Sequence, residues 1–184
     1  TLRHTLFPYT TLFRSNEKGP VLNRAYDLAF QNEKEYGSCP QAVLAAIKDL
    51  FGEVPDDLIR AGHGLAGGTA LSTEGTCGAL SGGVMAISHF FGRPREKFGN
   101  EGFQRDYDLA GILYGRFHEK YASPLCKDVQ KTLMDRAYKI WDPDEYEKFE
   151  EQGAHVDKCP SVTGTVARWT AEILMDNGIH PVEK

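Results

Sequence analysis

The chain has 184 residues, 41% hydrophobic and 26% charged, with a formal net charge of −5, which describes one globular domain with enough apolar material for a core. The negative balance argues against binding to nucleic acid or an acidic membrane surface, and no apolar run reaches the roughly 18 residues of a membrane span. Four cysteines in a chain of this length are too few for a small secreted disulfide scaffold, so they read as a site, and a cytoplasmic location is expected.

The segment Thr5–Ser15, TLFPYTTLFRS, looks like the in-frame translation of a common sequencing-adapter oligonucleotide. It has neither a sustained apolar core nor a small-residue cleavage site. Residues 1–15 are therefore read as adapter-derived, and 16–184 as a helical domain. After Gly19–Pro20, the residues Val21, Ala25, Leu28 and Ala29 recur at helical spacing, and Tyr36–Gly37 ends the run. Val43, Leu44, Ile47, Leu50 and Phe51 mark a second helix closed by Gly52; Pro40 at its first position makes Cys39 the expected N-cap. A short helical turn at Pro55–Ala61 precedes a glycine-rich loop over 62–76.

From Thr76 the pattern predicts a helix to Phe91, although Gly78, Gly82 and Gly83 each cost about 1 kcal/mol relative to alanine. Such residues are tolerated where a second helix or a ligand must approach the backbone closely, so this helix is expected at the centre. Phe103, Tyr107, Ala110, Tyr114, Phe117 and Tyr121 then step by three and four, an aromatic stripe that reads as core. Leu125, Val129, Leu133, Ala137 and Ile140 predict a further helix after Ser123–Pro124. Asp142–Pro143 starts an acidic helix, read as a solvated face, and Cys159–Pro160 opens the last, with Val162, Val166, Trp169 and Ile173 inward. No segment alternates with period two. The expected fold is all-α, a single-domain helical bundle in which the glycine-rich loop leads into a central helix.

Cys39, Cys77, Cys126 and Cys159 all fall within the first turn of an expected helix. Unpaired N–H groups and the positive end of the helix dipole favour an anion there, which lowers a thiol pKa, and the thiolate is the form that ligates metal or does redox chemistry. Four out of four suggests one shared site. The absence of Cys-x-x-Cys from the sequence disfavours a thioredoxin dithiol, a zinc ribbon and the bacterial ferredoxin run; without Cys-x-x-Cys-His, no covalent c-type haem is expected. A four-thiolate [2Fe–2S] cluster suits four converging helix ends, and a closed zinc site is chemically open as well.

The segment Cys77-Gly78-Ala79-Leu80-Ser81-Gly82, with Cys39-Pro40-Gln41-Ala42-Val43 upstream and lone Cys126 and Cys159 downstream, resembles the C_GCAxxG_C_C family over roughly residues 20–175. That resemblance implies a redox-active protein similar to the cluster-binding part of split-Soret cytochrome c, and hence an iron–sulfur site. The expected ligands are Cys39, Cys77, Cys126 and Cys159, with Gly78, Ala79 and Gly82 lining the site through close approach. The expected function is electron transfer to an unidentified redox partner protein, and a homodimer is compatible with the sequence. The alternatives are a thiol–disulfide oxidoreductase using the same cysteines without metal, and a structural zinc module.

Several further patterns carry less. Gly62-His63-Gly64-Leu65-Ala66-Gly67 spells GxGxxG, but no strand precedes it, so it reads as a loop packed near the cysteines. Ser81 lacks the GxSxG context of a nucleophile. His155, four residues before Cys159, is a candidate to replace a cysteine as ligand, but it precedes the expected helix and reads as a solvent-exposed loop residue; His63 and His89 flank the central element and read as ordinary surface or core histidines.

Overall fold

The computed structural model describes residues 15–99, 102 and 104–182. Residues 1–14 of the adapter-like segment, and Phe103 of the aromatic stripe, lie outside them. The described residues form α-helices with a single isolated antiparallel bridge, Thr76 to Leu125, and no strand. The helices are α1 (Ser15–Tyr36), α2 (Cys39–Phe51), α3 (Asp56–Gly62), α4 (Gly78–Phe91), α5 (Gln104–Tyr121), α6 (Cys126–Met134), α7 (Pro143–Glu151) and α8 (Cys159–Asp176). The fold is all-α, as expected.

The main core lies among α1, α2, α4, α5 and α8. Helix α2 is enclosed on most sides, with Ala42, Val43, Leu44, Ala46, Ile47, Leu50 and Phe51 all buried. It ends at Gly52, whose φ of 79° an L side chain would resist and whose N–H returns to the Lys48 carbonyl at 2.7 Å. Helix α4 packs against α2, α5 and α8. Its glycines explain how: a Cβ built on Gly82 would stand 2.7 Å from the Pro40 carbonyl oxygen and 2.8 Å from Pro40 Cα. One on Gly83 would meet Leu113, Val166 and Thr170 at 2.7–2.8 Å. The helix is thus built for contact with α2 on one side and with α5 and α8 on the other. The most extensive packing is α1 against α8, where a Cβ on Gly164 would stand 2.9 Å from the Tyr26 ring.

Four features differ from the sequence reading, each for a local reason. Helix α1 runs through Gly19–Pro20 instead of starting after it. Proline so near a helix start forgoes one hydrogen bond, and Lys18 ties this first stretch to Asp176 at 2.7 Å and Glu172 at 3.3 Å on α8. Cys39 is the first residue of α2 and not its N-cap; Ser38, at φ 62°, holds the cap. Helix α6 stops at Met134 because Asp135 turns left-handed at φ 64°, leaving Ala137 and Ile140 beyond it. Tyr138 N–H is then taken by the side-chain oxygen of buried Gln130 at 2.7 Å. On α5 the inward line is Leu109, Leu113, Phe117 and Tyr121, so the aromatic stripe is core only at its C-terminal end: Phe117 and Tyr121 are buried, but Tyr107 is 68% and Tyr114 46% exposed. At 3.6 residues per turn the leucine line and the aromatic line share only Phe117 and Tyr121.

Met134, Tyr138, Ile140, Phe149 and Ala154 form a second, smaller core beneath α6 and α7. Asp142 caps α7, accepting from Asp144 N–H at 3.0 Å and Glu145 N–H at 3.2 Å. Before α8 the chain makes one π turn, Ala154–Lys158.

Candidate redox site

The four cysteines come from four separate elements and open on one cavity of about 820 Å³ between the two cores. All four are free thiols. Cys77 is buried and packs in the main core, Cys39 packs against that core, and Cys159 packs against the smaller one.

Two devices bring them together. The first is the glycine-rich loop. Gly67, Gly68, Thr69, Ala70, Leu71 and Thr73 all have positive φ, so the chain coils back over itself, with Thr73 N–H on the Gly67 carbonyl at 2.8 Å. The loop then pairs with the segment entering α6. Cys77 N–H donates to the Pro124 carbonyl at 2.8 Å, Cys126 N–H to that of Gly75 at 3.0 Å, and Lys127 N–H to that of Thr73 at 2.9 Å. Those bonds set Cys77 and Cys126 side by side. The second device is the α2–α4 contact. A Cβ on Gly78 would lie 2.9 Å from Cys39 Sγ and 2.8 Å from Pro40 Cδ. Gly78 and Gly82 therefore bring Cys39 up to the start of α4, and Ala79 forms part of the cavity wall.

The helix-terminus argument holds only in part. Cys77 is the N-cap of α4, and the N–H groups of Ala79 and Leu80 do draw its pKa downward. Burial outweighs them, with a smaller push from Cys126, and the thiol is raised to about 12. Burial likewise raises Cys126 to about 11 against the opposing Gln130 amide, whose Nε2 lies 3.6 Å from the sulfur. Cys39 and Cys159 are pushed well above the ordinary thiol range by burial and then by the charge of Glu33. Cys159 does not stand at a bare helix end, because the π turn precedes it and its N–H is taken by the Ala154 carbonyl. Burial thus works against the thiolate at all four positions, and the helix dipole does not overcome it.

Two further residues line the cavity: one escapes the sequence reading, and the other is read there as solvent-exposed. Glu33 of α1 is 1% exposed, lines the cavity, and has an oxygen, Oε2, with no hydrogen-bond partner. Burial pushes its carboxyl up to about 8, the neighbouring Cys39 thiol opposes the rise, and Glu150 adds to it. The signal was available: Ala25, Ala29 and Glu33 are spaced by four, and the first two are fully buried. His155 is the other. It lies in the π turn on the cavity wall, with Nδ1 bonded to Glu150 and Nε2 3.8 Å from Glu33 Oε1. His63 reaches the cavity rim and bonds Gln41 at 2.9 Å, whereas His89 bonds the Glu53 carbonyl at 3.1 Å, away from it. The GxGxxG stretch forms the end of α3 and a 3₁₀ turn, His63–Leu65, with no preceding strand.

The donor chemistry suits a metal centre. Four unpaired thiols share the cavity with two orphaned buried oxygens, Glu33 Oε2 and Ser38 Oγ, and buried polar atoms are rarely left without partners. Among the described residues no three His, Cys, Asp or Glu side chains are already drawn up as a ligand set. Nor is any helix among them long and apolar enough to cross a membrane.

An all-α chain with four free cysteines around one cavity fits a class of cysteine-motif proteins. The family model described as "Putative redox-active protein (C_GCAxxG_C_C)" matches residues 37–173, and the chain belongs to that family. No curated protein and no solved structure matches it.

Proposed function

We propose that this chain is a small electron-transfer protein holding an iron–sulfur cluster, [2Fe–2S] in nuclearity, on Cys39, Cys77, Cys126 and Cys159. The observation that carries the reading is the convergence of all four free thiols, from four elements, on one cavity. When bound, such a cluster supplies a one-electron carrier.

The chain's own residues have definite tasks in that role. Each thiol gives up its proton to ligate, which the burial described above makes costly for a bare thiolate and which a metal cation offsets. The N–H groups of Ala79 and Leu80 face the Cys77 sulfur and favour negative charge there. The small residues Gly78, Ala79 and Gly82 keep the wall thin between α4 and α2. Tyr36, Leu71, Trp141 and Tyr146 are exposed and also line the cavity, so the approach to the site is apolar, as suits a redox partner protein that docks transiently.

The test is purification without oxygen, followed by visible absorption and iron and acid-labile sulfide analysis. Iron and sulfide in equal proportion, with absorption that bleaches on reduction, is the expected result. Colourless protein with stoichiometric zinc would replace the cluster with a structural zinc site. Metal-free protein with a reversible disulfide would replace it with thiol–disulfide exchange. Single Cys→Ser changes at each of the four positions should each reduce bound iron severely.

A further inference from the structure

We infer that the metal at this site is held by oxygen as well as sulfur, with the Glu33 carboxylate as a ligand beside the thiolates of Cys39 and Cys159. The inference rests on the proposed metal site and adds a donor that the four-cysteine motif does not contain.

The argument is one of charge and hydrogen bonding. Glu33 is 1% exposed, and Oε2 has no partner. Among the described residues, no lysine or arginine pairs with it; the only basic side chain within 4 Å is that of His155, whose Nε2 is 3.8 Å from Oε1. That distance is too long for a hydrogen bond, and the other ring nitrogen of His155 is already engaged by Glu150. An acid so placed is unfavourable in either form. Ionised, it is a buried charge without a counter-ion, which costs several kcal/mol. Neutral, it still leaves a buried oxygen unsatisfied.

Its position is also specific. Glu33 lines the same cavity as Cys39 and Cys159, with its unpartnered oxygen among the thiols. A cation seated among these thiols would supply both the missing charge and the missing partner. A metal cation with a ligand position left open by the thiolates takes the carboxylate into its own coordination, so the buried charge gains the counter-ion that the surrounding side chains do not supply. His155 then acts as a positioning residue, held by Glu150 at the cavity wall and facing the carboxylate.

The experiment uses the full chain, reduced and freed of metal, loaded with zinc alone, and reads the zinc K-edge. The expected first shell mixes sulfur at about 2.3 Å with one light scatterer at about 2.0–2.2 Å. Glu33→Gln should remove the light scatterer and weaken zinc binding by about 10-fold or more. His155→Gln should keep it, which separates carboxylate from imidazole. A shell of four sulfurs in the wild type would overturn the inference and leave the four-cysteine site standing. A light scatterer that persists in Glu33→Gln would also overturn it. Failure of the wild type to bind either zinc or a reconstituted cluster would overturn both readings. Should Glu33→Gln not fold, Glu33→Leu takes its place with the same two outcomes, loss of the light scatterer supporting the inference and its persistence overturning it.

Discussion

Replacing Gly82 by alanine sets two effects of known size against each other. A mid-helix glycine is worth about 1 kcal/mol less than alanine, so the change should stabilise α4 if space allowed. It does not allow it. The new methyl would stand 2.7 Å from the Pro40 carbonyl oxygen and 2.8 Å from Pro40 Cα. Those are backbone atoms of α2, which cannot swing aside as a side chain can. Reaching ordinary contact requires the two helices to part by roughly half an ångström or more. Forcing atoms into a packed interior typically costs about 1–3 kcal/mol, and this contact, backbone against backbone, belongs at or above the upper end. The net expectation is destabilisation of about 2 kcal/mol or more, which for a chain this long lowers the unfolding midpoint by roughly 4–8 °C. Because Pro40 follows Cys39, the same displacement pulls Cys39 from the start of α4, so metal loading should fall too. The comparison is Gly111→Ala on α5, where nothing lies within 4 Å and a gain of about 1 kcal/mol is expected. Both are measured by urea unfolding of metal-free protein. If Gly82→Ala proved as stable as the wild type, or gained like Gly111→Ala, the close-approach account of α4 would be refuted.

Three other perturbations follow. Glu33 has its carboxyl raised to about 8 from 4.5 by burial, so between those pH values the folded chain binds a proton that the unfolded chain has lost. Metal-free protein should therefore lose stability as pH rises from about 4.5 to about 8, by an amount on the order of a few kcal/mol, and Glu33→Gln should flatten that slope in denaturation curves across the range. Gln130→Met should cost about 1–3 kcal/mol, since Tyr138 N–H loses the acceptor it now holds at 2.7 Å; amide exchange at Tyr138 should accelerate, and an unchanged rate would count against the capping role. Asp142→Ala removes the acceptor for two N–H groups of α7 and should cost about 1 kcal/mol, whereas Asp142→Asn should recover most of it.

What could be read from the residues, and what could not, divides along physical lines. The placement of α4 at the core was legible because glycine in a helix is unfavourable unless something needs the space, and Gly82 and Gly83 both abut other helices. The inward face of α5 was legible only at Phe117 and Tyr121, because the aromatic spacing of three and four drifts around the helix while the buried line, spaced by four, begins with Leu109 and Leu113. The end of α6 was hidden because Asp135 adopts the left-handed turn without the glycine that normally announces one. His155 could not be placed by a period of 3.6, since the π turn that holds it adds a residue to that repeat. Glu33 was readable in phase with Ala25 and Ala29, but a single charged residue on an apolar face is easily taken for a helix end.

The convergence of the cysteines has a cost that is visible in the backbone. Thr69, Ala70, Leu71 and Thr73 all sit at positive φ, where a residue other than glycine gives up about 1–2 kcal/mol, and a threonine, branched at Cβ, is especially ill suited. Such a run persists only if its surroundings over-determine it, and here they do. Thr73 takes a bond from Lys127 through its carbonyl and gives one to Gly67 through its N–H, while Gly75 bonds Cys126 and Gly68. A Cβ on Gly68 would stand 2.8 Å from that of Cys126, so the coil is pressed against the very residue it positions. A loop whose only task was to connect α3 to α4 would need none of this, since a relaxed chain could span the same gap. Strain concentrated where Cys77 and Cys126 are set side by side is better explained by the site than by the fold.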